Sequence, residues 1–332
     1  MLLTGFWFLL SAGAIYVACE YFVNGVEWLG RRLNLSSTAT GTVLAAFGTA
    51  LPESVVTFVA VVLGNTPQQR DIGVGAALGG PLVLATIAYG VVGLALLSNR
   101  RKLGREDRSV HVDHRRLSQD QVWFMAIFVV KVALGLVAFA FKPWLGLLFL
   151  AAYGIYVWRE LKDERPDVEE ELEPLKFRPT QTEPSLAWAA AQTLVALCVV
   201  AYASHVFVVQ VEALATGFHL SPHLAALLLS PVATEMPETM NALIWVRQGR
   251  ERLALANISG AMMIQATIPS ALGIFFTPWM FDTPLIAAAV VTLLAVIGLW
   301  AAFRSGRVGS RLLASVAGLY LAFGGFVLWS FR

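Results

Sequence analysis

Apolar runs long enough to cross a bilayer, about 20 residues each, recur along the whole chain, and this feature limits the fold more than any other. Within hydrocarbon a backbone must satisfy its own polar groups, which a helix does. Hydrophobic residues make up 57% of the 332 positions and charged residues only 14%, against about 25% charged in a soluble domain. The spacing of the runs predicts ten helices, roughly 4–29, 36–64, 72–97, 121–141, 144–158, 186–214, 220–246, 253–276, 284–303 and 311–330. They leave no room for a soluble catalytic domain. The first run has no Lys or Arg before it and continues past Glu20 to Arg31 and Arg32, so it is expected to be a span and not a signal peptide. Cys19 and Cys198 both fall inside apolar runs, which argues against a disulfide framework and against metal ligation by thiolates.

The positions of the basic residues predict orientation. With the N-terminus outside, the inner loops collect Arg31, Arg32, seven residues from Arg100 to Arg116, five from Arg159 to Arg178, then Arg247, Arg250, Arg252, Arg304, Arg307 and Arg311. Only Arg70, Lys142 and Arg332 fall outside, and Lys131 lies within a span. By the positive-inside rule both termini face out. The expected location is the plasma membrane, the inner membrane in a bacterium.

The stretch "AAFGTALPES", Ala45 to Ser54, places Glu53 behind a proline in an apolar run, and "SPVATEMPET", Ser230 to Thr239, does the same with Glu238. At an offset of 185, Glu27 meets Glu212, Leu35-Ser36 meets Leu220-Ser221, and Thr49, Pro52 and Glu53 meet Thr234, Pro237 and Glu238. At an offset of 181, Gly75 and Gly79 meet Ala256 and Gly260, and both pairs read as close helix contacts. Five spans per half is an odd number, so the second half inserts upside down. The expected architecture is an all-α integral membrane fold of two inverted five-helix repeats, 1–158 and 186–332, with helices 2 and 7 broken and an acidic cytoplasmic linker at 159–185. Inverted repeats with interrupted helices point to alternating access around a site near the midplane.

Proline removes an N–H and clashes with the preceding turn, so each motif frees backbone carbonyls that need partners in a membrane. An acidic side chain at a span centre costs about 2.5–3.5 kcal/mol even on insertion scales. Glu53 and Glu238 together offer two formal negative charges, matching one divalent cation. Carboxylates, the hydroxyls of Thr49 and Thr234, and freed carbonyls are hard oxygen ligands that suit Ca²⁺.

"VNGVEWLGRRLNLSSTATGTVLAAFGTALPES" resembles the first alpha repeat of the calcium/cation antiporter superfamily, the sodium/calcium exchanger membrane domain, and "DIGVGAALGG" is similar to that family's third helix. "ATEMPETMNALI" and "LALANISGAMM" match the second repeat. The resemblance implies ten helices, ligands gathered around Glu53 and Glu238, and outer helices (first and sixth) that slide past the core. It also implies a ligating or ligand-orienting role for Asn257. The chain departs from the pattern at Ala50 and Glu235, where the family has serine, at Ala76, where it has asparagine, and at Gly80-Pro81 and Ala261-Met262, where it has a Ser-Asn pair. Oxygen ligands that the family uses for sodium are missing and one carboxylate is added. Glu235 and Glu238, three apart on one helical face, repel each other, an arrangement suited to carrying a proton.

The function expected is exchange of Ca²⁺, or a similar divalent cation, for H⁺ or Na⁺ by alternating access, with Glu53, Glu238, Thr49, Thr234, Glu235 and Asn257 as metal ligands. The alternative is a membrane sensor or scaffold that binds cations without transporting them. Enzymatic activity is not expected, because a hydrolase would need an activated nucleophile or a His-held metal that neither motif supplies. No cofactor and no nucleic-acid partner is indicated. Partners are the transported cations and the lipid bilayer.

Overall fold

Small and apolar residues on every side let a helix sit at the centre of a bundle, and two helices here have that composition. In the computed structural model, which describes residues 1–33, 50–99, 110, 112–162, 172–306 and 308–330, these are α3 (Pro67–Ser98) and α9 (Glu251–Phe276). Their most apolar windows are 78% buried, against 22–39% for the outer helices α1 (Leu2–Arg32), α6 (Leu186–Gly217) and α11 (Ser310–Ser330). Between them in the chain lie α2 (Leu51–Val62), α4 (His114–Gly135), α5 (Gly146–Lys162), α7 (Pro222–Thr234), α8 (Met236–Arg247) and α10 (Thr283–Arg304). Seven of these helices are long and apolar enough to cross a membrane, and α2 and α7 are shorter apolar helices. The protein is a multi-pass, all-helical membrane protein.

Local sequence sets the boundaries. Thr66, Ser221 and Asp282 each accept a hydrogen bond from a backbone N–H three or four residues on, with proline following within the first turn, the usual combination for starting a helix. The expected seventh span, 220–246, is two helices, α7 and α8, parted at Glu235 ahead of Pro237. The expected second span is described only from residue 50, so Thr49 lies outside the described residues. Inside α3 the residues Leu84–Ala88 form a π-turn.

The outer helices α1 and α6 lie along each other. The core helix α3 carries α7 and α2 on one part and α11 on its C-terminal part, while α9 carries α5, α8, α4 and α2, and α4 packs on α10. A 32-residue helix such as α6 is about 48 Å long, more than the ~30 Å hydrocarbon core needs.

Tertiary contacts hold several side chains near span ends and in connecting segments. Trp28 and Trp279 are 3% and 0% exposed, with their indole N–H groups bonded to the carbonyls of Glu173 and Lys131. His223 is on the first turn of α7, its Nδ1 3.2 Å from Asp282 and its Nε2 3.5 Å from Asp71. Burial works against a charge on Asp282, yet His223 and the Leu285 N–H hold its carboxyl below the ordinary range. The described end of the acidic linker packs against α1. Asn24 and Trp28 donate to the Glu173 carbonyl, Arg32 donates to that of Pro184, and Leu175 is fully buried. The small-residue pairs behave differently from each other. A Cβ on Gly75 would lie 2.3 Å from the His223 carbonyl oxygen, whereas one on Gly260 would meet nothing within 4 Å.

Candidate cation-binding site

Each half places a glutamate by the same local device. Ala50 (φ −87°, ψ 3°) precedes α2 and Glu235 (φ −102°, ψ −6°) precedes α8. Proline is the second helical residue in both, where no N–H is needed, and Glu53 or Glu238 is the third. The Ser54 N–H closes on Ala50 O and the Thr239 N–H on Glu235 O, so the first turns match. Pro237 also withholds the N–H that a continuous helix would direct at the carbonyl of Ala233.

Glu53 and Glu238 are fully buried, and Glu235 is 1% exposed. The three interact electrostatically with one another. Their hydrogen bonding differs sharply. Both oxygens of Glu53 and both of Glu238 lack a partner among the described residues. Glu235 is held at each oxygen, 2.8 Å from the Thr234 hydroxyl and 2.8 Å from the Gln265 amide, both of which donate to it. Buried carboxylates without donors are expensive, and four such oxygens in one region form an acceptor set without protein donors. The Gln265 Oε1, Ser230 Oγ and Thr57 Oγ1 atoms are buried and unpartnered as well. All are hard oxygens of the kind that coordinates Ca²⁺. No three His, Cys, Asp or Glu side chains among the described residues converge tightly enough to cage an ion. A cation would therefore draw on the neutral oxygens as well as the carboxylates.

Surrounding helices complete the site. A Cβ on Gly80 of α3 would lie 2.8 Å from Gln265 Oε1 and 3.0 Å from Glu235 Oε1, so the bare backbone there makes room for both side chains. Cys19 of α1 interacts electrostatically with Glu238, and Lys131 of α4 with Glu53. Asn257 lies eight residues before Gln265 on α9, about 12 Å along the axis. Its Nδ2 is buried without a partner, and the amide that reaches a carboxylate belongs to Gln265.

Gln265 and Gly80 escape the sequence reading. The available signal for Gln265 was an amide in the apolar run 258–276, a costly residue there unless it has a partner. For Gly80 it was the loss of a side chain where the resembled pattern carries one.

The family described as sodium/calcium exchanger protein matches residues 3–162 and 188–331. "Cation/calcium exchanger 2" of Arabidopsis thaliana is 27% identical over 177 residues, 52% of this chain and 29% of that protein, so the chain spans under a third of that relative's length. "Putative antiporter CaxA" of Alkalimonas amylolytica is 24% identical over 344 residues, covering 97% of this chain and 99% of the relative. The crystal structure of the H⁺/Ca²⁺ exchanger CAX superposes with a TM-score of 0.77 over 98% of this chain and 82% of that one, at 18% identity. This last likeness establishes the fold.

Proposed function

The chain belongs to the sodium/calcium exchanger protein family, and on that premise we propose that it is a secondary-active antiporter exchanging Ca²⁺, or a similar divalent cation, for H⁺ or Na⁺. The observation that carries this reading is the pair of fully buried carboxylates, Glu53 and Glu238, whose four oxygens have no hydrogen-bond partner among the described residues. Two buried anions without donors are stable only with a counter-charge, and a divalent ion supplies one matched in sign and magnitude. Thr234 and Thr49 join as neutral ligands, Gln265 and Ser230 are added to that set, and Asn257, about 12 Å along α9 from Gln265, is replaced in it by that residue. Glu235 serves as third ligand or proton carrier.

The architecture behind alternating access is two inverted five-helix repeats, 1–158 and 186–332, joined by 159–185. Contacts support it, because exchanging the halves maps them onto one another. The packing of α5 on α9 corresponds to α11 on α3, and that of α2 on α9 to α8 on the C-terminal part of α3, while α1 with α6 and α4 with α10 pair with their own counterparts. The least buried of these pairs, α1 and α6, is the one placed to slide against the core.

The test is ⁴⁵Ca²⁺ uptake into proteoliposomes, driven in turn by outward Na⁺ and H⁺ gradients. Uptake with one gradient names the counter-ion. Stabilisation by Ca²⁺ in a thermal melt with no uptake under either gradient would replace the antiporter by a cation-binding sensor. If H⁺ is the counter-ion, Glu235→Gln is expected to flatten the pH dependence of uptake, and an unchanged profile would remove Glu235 as the proton carrier. On the positive-inside count both termini face out, so a C-terminal alkaline phosphatase fusion should be active and a C-terminal GFP fusion dark; the reverse pattern would invert the orientation.

A further inference from the structure

Two buried charged residues break the symmetry between the halves, and they have opposite signs. Glu235 stands where the first half has Ala50, and Lys131 has no basic counterpart in the second half. Lys131 is fully buried on α4. Its ammonium donates to Ala77 O at 2.9 Å and lies 4.9 Å from the centre of the Phe128 ring. No carboxylate lies within 4.0 Å of it among the described residues, so it is not one half of a closed ion pair. It nevertheless acts on the site, as the cation that interacts with Glu53. Its anchor, Ala77, is one turn before Gly80, the residue against which Glu235 and Gln265 rest. Its own carbonyl accepts the Trp279 indole N–H at 3.0 Å, which fixes the backbone of α4 at this level.

An ammonium has three donors, and a single carbonyl and an aromatic face are poor compensation for burying one. The Glu53 carboxylate works in the ammonium's favour against that burial. Three glutamates carry three formal negative charges, one more than a divalent ion balances.

We propose that Lys131 is a tethered cation that cancels the charge of the third carboxylate, so that the pocket presents two net negative charges and selects a divalent over a trivalent or monovalent ion. The residue is a positioning and selectivity element that acts through the field without touching the transported ion. This inference rests on the divalent-cation reading of the site.

The test is the ratio of La³⁺ to Ca²⁺ affinity, read by thermal shift and by isothermal titration on the purified full chain. Lys131→Gln keeps a donor for Ala77 O but adds one net negative charge, and should raise the ratio about 10-fold or more. Glu235→Gln alone should lower it by a similar factor. The double variant Lys131→Gln/Glu235→Gln should return it to within about 3-fold of the unmodified protein, and Lys131→Arg should leave it unchanged. A merely structural lysine predicts no change in the ratio with Lys131→Gln and no rescue by the second substitution, and either result would overturn the proposal. If Lys131→Gln does not fold, an unchanged ratio in Glu235→Gln overturns it equally. Absence of Ca²⁺ binding in the unmodified protein would refute the divalent reading itself, whereas normal binding with an unmoved ratio would refute only the role of Lys131.

Discussion

Glu53→Gln and Glu238→Gln, made singly, are each expected to reduce Ca²⁺ uptake by about 100-fold or more while leaving the protein folded. A unit charge 4 Å from a divalent ion is worth about 8 kcal/mol at an effective dielectric of about 20, before desolvation is subtracted. If about a third of that survives, affinity falls about 100-fold. Glutamine matches glutamate in volume, and among the described residues neither glutamate has a donor that the amide would leave unpaired. The ion-free melting temperature should therefore hold or rise. The losses should be unequal. Glu53 is the lone carboxylate of the broken helix in its half, whereas Glu238 has Glu235 three residues before it, so any residual uptake is expected in Glu238→Gln. Uptake and Ca²⁺-dependent stabilisation measured together check this. Wild-type uptake in either variant would remove that glutamate from the site.

Sequence carries the parts of this site that local chemistry dictates. A proline two residues past Glu235 disrupts a continuous helix, and the break falls there. Repetition of the motif at a constant offset ties Glu53 to Glu238 before any contact is known. What sequence does not carry is partner choice between distant helices. Trp279 sits at the end of a span and has the position of a belt residue, but it turns inward because the Lys131 carbonyl accepts its indole N–H. His223 looks like a loop residue until α3 and the N-terminus of α10 bring Asp71 and Asp282 to it. Gln265 is invisible for the same reason, since one amide in an apolar helix acquires meaning only from the carboxylate that α7 delivers. Gly79 and Gly260 show the limit most clearly. They occupy matching positions, yet a Cβ on the first would lie 2.8 Å from Leu227 O and one on the second would meet nothing.

That contrast yields the second large effect. Gly75→Ala places a methyl group 2.3 Å from the His223 carbonyl oxygen and 3.0 Å from Ala226 Cβ. The nearer neighbour is backbone, held in the first turn of α7 by the Ser221 cap and by the contacts of His223 with Asp71 and Asp282, so it cannot rotate aside. Overpacking of this kind costs about 1–3 kcal/mol, and the apparent melting temperature of a 332-residue chain should fall by about 1.5–4 °C. Gly260→Ala, in open space on α9, should be neutral or stabilising by up to about 1 kcal/mol, because alanine is the better helix former. The consequence reaches the site. The contact of α3 with α7 runs from Gly75 through Gly79 to Gly80, where Glu235 and Gln265 press against bare backbone. Prising the helices apart at Gly75 shifts the end of α7 that carries Thr234 and Glu235. Gly75→Ala should therefore weaken Ca²⁺ binding as well as folding, and Gly260→Ala should leave binding intact. Equal melting temperatures for the two variants would show that α3 and α7 are not held at this distance.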